Sequence, residues 1–198
     1  MIDTHAHLFY LKKQLKDVVA KAKKEGVTHI INVGVNIDSA RKALKQAQEY
    51  PSYISATIGV HPCDVAGFSG FKTLKKELST SNYVAVGEIG LDYYHMSAPK
   101  EEQIECFKKQ LDLAREYNLP AIIHSRESDD DMKLILNEYQ DVKKVLHCFS
   151  SSADFALSVL NKNTYFSFTG MITFAKRGKV INAIKQIPID HIMIETDC

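Results

Sequence analysis

The sequence lacks the features that mark several large classes of protein. It contains no apolar run of about 18 residues, and its first residues, from Met1 to His5, are too polar for the apolar region of a secretion signal. No two of its four cysteines form a C-x-x-C pair, which argues against a zinc ribbon and against a secreted disulfide framework. We therefore expect a protein that does not enter the membrane and that works in the reducing cytoplasm. The cysteines are Cys63, Cys106, Cys148 and Cys198.

Neither sign of charge is in excess. There are 25 Lys and Arg residues against 24 Asp and Glu residues, a formal net charge of +1. Composition thus gives no support to a broadly basic surface that holds nucleic acid through charge alone, and any anion site must be local. With 45% hydrophobic residues, nine Gly and five Pro, disorder and collagen-like structure are excluded. We expect one domain over residues 1–198, since a chain of this length can bury a sizeable core.

Short apolar runs alternate with longer segments in which apolar residues recur at helical spacing. Runs that are continuously apolar are typical of parallel strands covered by helices on the outside. Eight such units predict an α/β fold, a (β/α)₈ TIM barrel, with a doubly wound open sheet as the alternative. The predicted strands are 2–7, 29–34, 53–61, 83–90, 121–124, 144–149, 164–170 and 191–197. The predicted helices are 11–25, 37–50, 71–78, 100–117, 130–139, 153–160 and 178–187.

Length adds an expectation about the barrel wall. Eight strands are matched by only seven intervening helices, and the sequence stops just after Asp197. Barrels of this type typically run to about 250 residues, roughly 50 more than are present. We therefore expect a C-terminally truncated domain that lacks the closing helix and exposes apolar surface beside the eighth and first strands.

Histidines collect where the predicted strands end, which is where barrel enzymes carry their active sites. His5 and His7 are two apart on one strand, so their rings point the same way and can bind one ion at about 2.1 Å each. His29 and His191 instead begin strands, and we interpret them as structural. The histidines at or near strand ends are His5, His7, His61, His124 and His147.

Two carboxylates share those strand ends, Glu88 near the end of the fourth predicted strand and Asp197 at the end of the eighth. Buried carboxylates and imidazoles are costly without mutual compensation, which divalent cations supply. Glu88 is placed to bridge two ions, and Asp197 is the candidate proton shuttle as well as a ligand. Mixed nitrogen and oxygen ligation leaves Zn²⁺, Mn²⁺, Fe²⁺ and Mg²⁺ open. The expected ligand sets are His5, His7, Glu88 and Asp197 for one ion, and Glu88, His124 and His147 for the other.

Asp3 and Glu195 share strand parity with the expected ligands. Each should point toward the barrel axis one layer deeper. We expect them to orient imidazole rings rather than to bind an ion directly, although for Asp3 a carboxylate that faces water is an equal alternative.

Seven motifs follow one another at the predicted strand ends: DTHAHL from Asp3, IGVHP from Ile58, VGEIGLDY from Val86, IHSR from Ile123, LHCFS from Leu146, FTG from Phe168 and ETD from Glu195. Together they resemble the TatD-related deoxyribonucleases, which are amidohydrolase-like TIM barrels. The resemblance implies a divalent-metal-dependent phosphodiesterase acting on DNA, often from a 3′ end, with the ligands assigned as above. It implies DNA, single-stranded or at 3′ ends, as the partner, and no obligate protein partner.

The chain departs from that family at two points. Ser151 stands where members usually have Gly, which bears on the turn after the sixth strand. Cys63 stands where members often carry a residue such as His, so we do not expect Cys63 to be a ligand.

Substrate contacts are predicted around the ligands. Arg126 follows His124 by two residues and is the best candidate for holding a phosphate oxygen. His61 is a candidate substrate or water contact, and Tyr93 is a candidate for stacking on a base, although packing under its loop is an equal use of the ring. The basic stretch from Lys176 to Lys179 either tracks a DNA backbone or is simply solvated.

Two other functions are compatible with the same metal site. One is an amide, lactone or phosphotriester hydrolase, although the subgroup that bridges its ions with a modified lysine is disfavoured because the fourth strand ends in Glu88. Another is a protein that binds metal without turnover.

Overall fold

The fold was described from a computed structural model that covers residues 1–174 and 178–198. Strands and helices alternate along the chain. The strands are β1 (Ile2–Ala6), β2 (His29–Asn32), β3 (Ile54–Ile58), β4 (Tyr83–Asp92), β5 (Ala121–Arg126), β6 (Lys144–Leu146), β7 (Thr164–Phe168) and β8 (Ile192–Ile194). The helices are α1 (Leu15–Lys24), α2 (Ile37–Glu49), α3 (Phe71–Thr80), α4 (Lys100–Glu116), α5 (Asp129–Glu138), α6 (Ala153–Val159) and α7 (Gly178–Gln186).

The eight strands form one sheet in chain order, and every neighbouring pair from β1 to β8 is parallel. Backbone hydrogen bonds join the end of the sheet to its beginning: the Asp197 N–H donates to the His5 carbonyl (2.9 Å) and the His7 N–H donates to the Cys198 carbonyl (2.7 Å). The sheet is therefore a nearly closed barrel, and the predicted (β/α)₈ fold is confirmed. Ile2 and Ile194, on β1 and β8, are about half exposed.

Most predicted segments match the observed ones, and the differences bear on the site. The fourth strand runs two residues beyond its predicted end at Gly90, because Asp92 still pairs with Arg126 of β5. The first and sixth strands are shorter than predicted, so His7 and His147 lie on the loops that follow β1 and β6. The strand ends thus present the histidines from both strand and loop positions.

The barrel has two apolar layers. Helices pack on the outside of the sheet in one large buried cluster that includes Phe107 of α4 and Ile123 of β5. A small separate cluster contains Val33, Ala85 and Ile122. Since Ile122 and His124 are two apart on β5, the small cluster lies inside the barrel below the histidines. In residues 1–174 and 178–198, no helix combines the length and hydropathy that crossing a membrane requires.

Candidate metal centre

The side chains predicted for metal binding converge at the carboxyl ends of the strands. Their shared neighbour is Glu88 of β4, which is buried and has five histidine rings with a nitrogen within 3.5 Å of its oxygens. A cavity of about 610 Å³ opens above them. Its lining includes His7, His61, Glu88, His124, Arg126, His147 and Asp197, with the fully buried His5 alongside.

Glycines on β4 allow the close approach that brings Glu88 to its partners. Gly90 has φ +141°, and a Cβ built there would lie 2.0 Å from the His124 carbonyl oxygen. A Cβ on Gly87 would lie 2.6 Å from Cβ of Ile122. Any other residue at these two positions would push β4 away from β5. The backbone therefore holds Glu88 opposite the ring of His124.

The first group of donors has the spacing of a single coordination sphere. Four ligands about 2.1 Å from one ion lie roughly 3.4 Å apart in a tetrahedron. Nε2 of His5 and Nε2 of His7 are 3.2 Å apart, and they lie 3.4 and 3.5 Å from Oε2 of Glu88. Oδ1 of Asp197 lies 3.8 and 3.7 Å from the same two nitrogens. These four side chains fit one divalent ion.

The tautomer of His7 agrees with that use. Its Nδ1 lies 2.7 Å from the carbonyl oxygen of Val33, which can only accept, so Nδ1 carries the proton. The lone pair of the neutral ring is then on Nε2, which faces His5 and Glu88. Such a bond to the second ring nitrogen is the usual way in which a protein orients a ligating histidine.

The second group surrounds the other oxygen of Glu88. Oε1 lies 3.2 Å from Nδ1 of His124 and 2.8 Å from Nε2 of His147. On the far side of its ring, His124 directs Nε2 at Oδ2 of Asp92 (3.1 Å), so the lone pair is left on Nδ1. Nε2 of His147 is fully buried and has no aligned hydrogen bond within the described part of the chain. A metal ion between Nε2 of His147 and Oε1 of Glu88 would satisfy both of these buried atoms.

His61 differs from the other histidines around Glu88. Its Nε2 lies 3.3 Å from Oε1 of Glu88, but its Nδ1 accepts a hydrogen bond from the backbone N–H of Cys63 (3.1 Å). A neutral ring that accepts at Nδ1 must carry its proton on Nε2. His61 therefore presents an N–H donor to the cavity rather than a lone pair to a metal.

Electrostatics in the group favour an ionised Glu88. Burial would raise the pKa of Glu88, but the neighbouring His147, His124 and His5 outweigh it and hold that pKa well below the usual range. Burial, with the nearby His147, lowers the pKa of His5, whose ring stacks on that of His147 at 3.9 Å between centroids. His5 is thus kept neutral, as a metal ligand must be.

The pKa values of His124 and His147 shift in the direction opposite to that of His5. Burial alone would lower both values, but Asp92 and Glu88 raise the pKa of His124, and Glu88 with Glu195 raises that of His147 well above its usual range. Without a metal ion, these two rings therefore tend to carry protons, in the place that the positive charge of a divalent cation would occupy. Metal binding would therefore release protons from this half of the centre.

The two deeper carboxylates have different partners. Glu195 accepts the backbone N–H of Cys148 (2.6 Å) and the hydroxyl of Ser167, with Nδ1 of His147 at 3.7 Å. Asp3 was expected to orient a ring, but its oxygens accept the backbone N–H (3.0 Å) and the hydroxyl (2.7 Å) of Thr196. Asp3 thus fixes the loop that carries Asp197.

The predicted substrate residues lie at the edge of the cavity. Arg126 is exposed, its guanidinium carbon is 3.9 Å from the centre of the Tyr94 ring, and it lines both the main cavity and a second one of about 650 Å³. Tyr93 lines only the second of these, where its hydroxyl donates to Asp131 (2.7 Å) and Lys100 lies over its ring. Of the basic stretch, Lys176 and Arg177 lie outside the described residues, and Lys179 lines the second cavity.

Asp92 is a functional candidate that the sequence analysis did not single out. It is 1% exposed, and it holds the rings of both His124 and His95. Burial would raise the pKa of its carboxyl, but hydrogen bonds from those two histidines lower it. The available signal was an acidic residue just past the predicted end of the fourth strand.

Comparison with known proteins gives consistent matches over the chain. The family model of the TatD related DNases matches residues 2–198. YabD of Bacillus subtilis, an uncharacterized metal-dependent hydrolase, is 38% identical over 204 aligned positions that cover 100% of this chain and 80% of that protein. The 3′-5′ ssDNA/RNA exonuclease TatD of Erwinia tasmaniensis is 33% identical over 190 positions, covering 93% and 73%.

Solved structures agree. The TatD homologue YjjV of Escherichia coli superposes with a TM-score of 0.91 at 29% identity, covering 100% of this chain and 78% of that one. A phosphotriesterase homology protein of Escherichia coli, at 16% identity and a TM-score of 0.74, shares the fold.

Proposed function

The chain belongs to the TatD-related DNase family and is a metal-dependent hydrolase of ester bonds, and from this premise we propose that it shortens single-stranded DNA from the 3′ end at a site for two divalent ions. The observation that carries the proposal is the position of Glu88. One of its oxygens faces His5 and His7, and the other faces His124 and His147. A carboxylate that serves two groups of donors through separate oxygens is suited to bridge two ions.

Each ion has its own set of residues. One would be held by His5, His7, Glu88 and Asp197, the other by Glu88, His124 and His147. Ions bound there would act as Lewis acids on a phosphodiester. They would also lower the pKa of a bound water to near neutral, so that it could act as the nucleophile. Nitrogen and oxygen donors suit Mg²⁺, Mn²⁺ or Zn²⁺, and the metal is part of what has to be measured.

Asp197 is the residue assigned to proton transfer. Its side chain is 31% exposed and lines the cavity, while Glu88 is 4% exposed and surrounded by rings. A base must reach both the attacking water and the solvent that finally takes the proton. Asp197 meets both conditions, so it would accept a proton from water and return it to the leaving 3′ oxygen or to solvent.

His61 and Arg126 are assigned to the phosphate. His61 lines the cavity with its Nε2–H 3.3 Å from Oε1 of Glu88, and from there the N–H would donate to a nonbridging oxygen whose charge grows during the reaction. The planar guanidinium of Arg126 would hold a second oxygen at the rim through two parallel hydrogen bonds. Together they would orient the phosphodiester without contributing a metal ligand.

The second cavity is proposed to take the nucleotides next to the scissile bond. It shares Ser125, Arg126 and Ser150 with the main cavity, so a strand could continue from one into the other. Tyr93 lines it, and a base stacked there would gain about 1 to 3 kcal/mol. Because this cavity contains both lysines and aspartates, it would hold nucleotides through a few local contacts rather than through the attraction of a large positively charged surface.

An exonuclease assay tests the proposal. Single-stranded DNA labelled at its 5′ end should give a ladder of products shortened from the 3′ end when Mg²⁺ or Mn²⁺ is added, and a phosphorothioate cap at the 3′ end should suppress it. Chelation and His124→Ala should abolish cleavage. His191→Ala is the matched control, because Nδ1 of His191 bonds to the Thr164 carbonyl at the opposite end of the barrel and activity should survive.

Other outcomes would assign the site differently. Cleavage that persists in His124→Ala with chelator would reject this metal centre as the source of activity. Inactivity on DNA and RNA beside turnover of a lactone or phosphotriester would assign the chain to another hydrolase reaction. Equal rates on single-stranded RNA would extend the substrate class to RNA and would leave the proposed mechanism unchanged.

A further inference from the structure

Three potential metal ligands outside the two-ion centre meet between the loops after β3 and β4. They are Cys63, Asp92 and His95, and one donor atom from each lies within 4.8 Å of the other two. Cys63 is in the 3-10 turn after β3, Asp92 ends β4, and His95 follows in the next loop. Residues from separate loops thus bring a thiol, a carboxylate and an imidazole to one point.

We propose that Cys63, Asp92 and His95 bind a third cation, and that this cation is Zn²⁺ or a similarly soft divalent ion. A thiolate selects for zinc over the hard ions Mg²⁺ and Ca²⁺, and imidazole and carboxylate complete a donor set that zinc commonly uses. Three protein ligands leave a fourth position for water. Binding displaces the thiol proton of Cys63 to solvent, and if His95 binds through Nδ1, the proton that this nitrogen shares with Asp92 moves to Nε2 of the same ring.

Asp92 is held ready for such a role. Its Oδ1 accepts the backbone N–H groups of Tyr94 (3.0 Å) and His95 (2.8 Å), which fixes the carboxylate plane. Its Oδ2 lies 2.8 Å from Nδ1 of His95. A separation of 2.8 Å is shorter than the roughly 3.3 Å that two ligands of one zinc ion require, and a small rotation of the exposed His95 ring supplies the difference.

Cys63 is reached from the main cavity and is only partly buried. Its backbone N–H is tied to Nδ1 of His61, and the turn begins at Pro62, so the position of its Cα is set by the residues around the catalytic site. An ion that enters the cavity can therefore reach the thiol without any rearrangement of the backbone.

The third cation would act on catalysis through Asp92. The same Oδ2 that faces His95 also faces Nε2 of His124 at 3.1 Å, while Nδ1 of His124 faces Glu88. A cation that ties Asp92 to Cys63 and His95 would clamp the two loops and fix the His124 ring. Asp92 and His95 are positioning residues in this arrangement, since neither is assigned to touch the phosphodiester.

Substitution with Co²⁺ tests the site directly. Thiolate ligation of Co²⁺ gives a strong sulfur-to-metal charge-transfer absorption in the near ultraviolet, which nitrogen and oxygen ligands do not give. Protein titrated with Co²⁺ should develop this absorption and bind one equivalent more than Cys63→Ser or His95→Ala, both of which should lack it. Cys148→Ser is the matched control, because Cys148 is another partly buried thiol that lines the same cavity, and it should keep the absorption.

Four results would contradict the proposal. No thiolate absorption in the unmodified protein, or an absorption that persists in Cys63→Ser, would overturn the proposal. An absorption lost in Cys148→Ser, or kept at full strength in His95→Ala, would place the ion elsewhere and would also overturn it. His95 is half exposed, so His95→Ala should fold normally and keep the test informative even if Cys63→Ser is unstable.

Discussion

Nδ1 of His61 accepts a hydrogen bond from the backbone N–H of Cys63 at 3.1 Å. This one contact separates His61 from the rings of His7 and His124, in which the outer nitrogen is matched to an acceptor. A ring that is fixed by a backbone acceptor or a carboxylate offers its lone pair to the centre, and a ring that is fixed by a donor offers a proton. His61, His7 and His124 thus lie at similar distances from Glu88 but have two chemical roles: His61 as a hydrogen-bond donor, and the other two as lone-pair donors to a metal.

The first prediction follows from that difference. His61→Ala should keep the metal content of the two-ion centre and lower kcat by about 100-fold, the usual effect of removing one hydrogen-bond donor to a developing charge. His124→Ala should lower both the metal content and kcat. Metal analysis of dialysed protein together with steady-state kinetics on single-stranded DNA measures both quantities. Loss of one metal equivalent in His61→Ala would make His61 a ligand and the tautomer argument wrong.

A second prediction concerns Arg126, whose guanidinium lies over Tyr94 at the rim of both cavities. Arg126→Ala should raise KM for single-stranded DNA by about 10-fold to 100-fold, as expected for a lost hydrogen bond to a charged group. Arg126→Lys should recover only part of this effect, because an ammonium keeps the charge but loses the planar pair of donors.

Arg115→Ala is the matched control for Arg126. Arg115 is another arginine with an exposed side chain, but it lies on α4 and pairs with Asp141 at 2.6 Å. Its loss should leave KM unchanged. If Arg126→Ala and Arg115→Ala have equal effects, the change in KM reflects net charge and not a phosphate contact.

The sequence allowed the barrel and the location of the site to be predicted because each depends on local periodicity. Continuous apolar runs identify parallel strands, and the position of a histidine relative to the end of its run gives its place at the barrel mouth. His5 and His124 were located in this way, and so was Glu88. The family resemblance was not needed for these placements.

Other features depend on contacts between distant strands, which periodicity does not contain. Asp92 was missed because its role comes from β4 and β5 running side by side two residues farther than the apolar run indicated. The proton position on His61 depends on one backbone N–H after β3. The bonds of Asp3 to Thr196 join residues 193 positions apart.

The junction between β1 and β8 supplies a third prediction. Asp3 binds both the backbone and the hydroxyl of Thr196, and the next residue is the expected ligand Asp197. Thr196→Val keeps the shape but loses one hydrogen bond to a carboxylate, so the free energy of unfolding should fall by about 1 to 2 kcal/mol. Metal affinity should fall as well, because Asp197 is less firmly placed.

Urea unfolding with and without chelator separates the two effects. Thr80→Val is the matched control, since its hydroxyl bonds to the Lys76 carbonyl on the exposed side of α3. It should lose stability without losing metal affinity. Equal metal affinity in Thr196→Val and the unmodified protein would show that Asp197 does not depend on this contact.

The fourth prediction concerns Lys144, at the start of β6 and far from the metal centre. It is 1% exposed, and among residues 1–174 and 178–198 its Nζ has no hydrogen-bond partner. Burial lowers the pKa of its ammonium group to about 8, although Asp141 opposes the shift. In the unfolded chain the same group titrates near 10.4, so folding carries a penalty of roughly 3 kcal/mol at pH 7.

The sign of the pH dependence follows from proton counts. Between pH 8 and about 10.4 the unfolded chain holds more protons on Lys144 than the folded chain, so the free energy of unfolding rises with pH across this window. Below it, both states are protonated and the penalty is complete. Lys144→Met removes the charge at nearly constant volume, so it should stabilise the protein at pH 7 and have little effect near pH 10.5.

Denaturant unfolding at pH 7 and pH 10 measures this difference. Lys143→Met is the matched control, because Lys143 is the exposed neighbour and should change stability little at either pH. Comparing variants at each pH cancels the titration of tyrosines and cysteines, which is common to all of them. A stabilisation by Lys144→Met that is equal at both pH values would come from packing alone, and destabilisation at pH 7 would mean that the ammonium is paired in the folded protein.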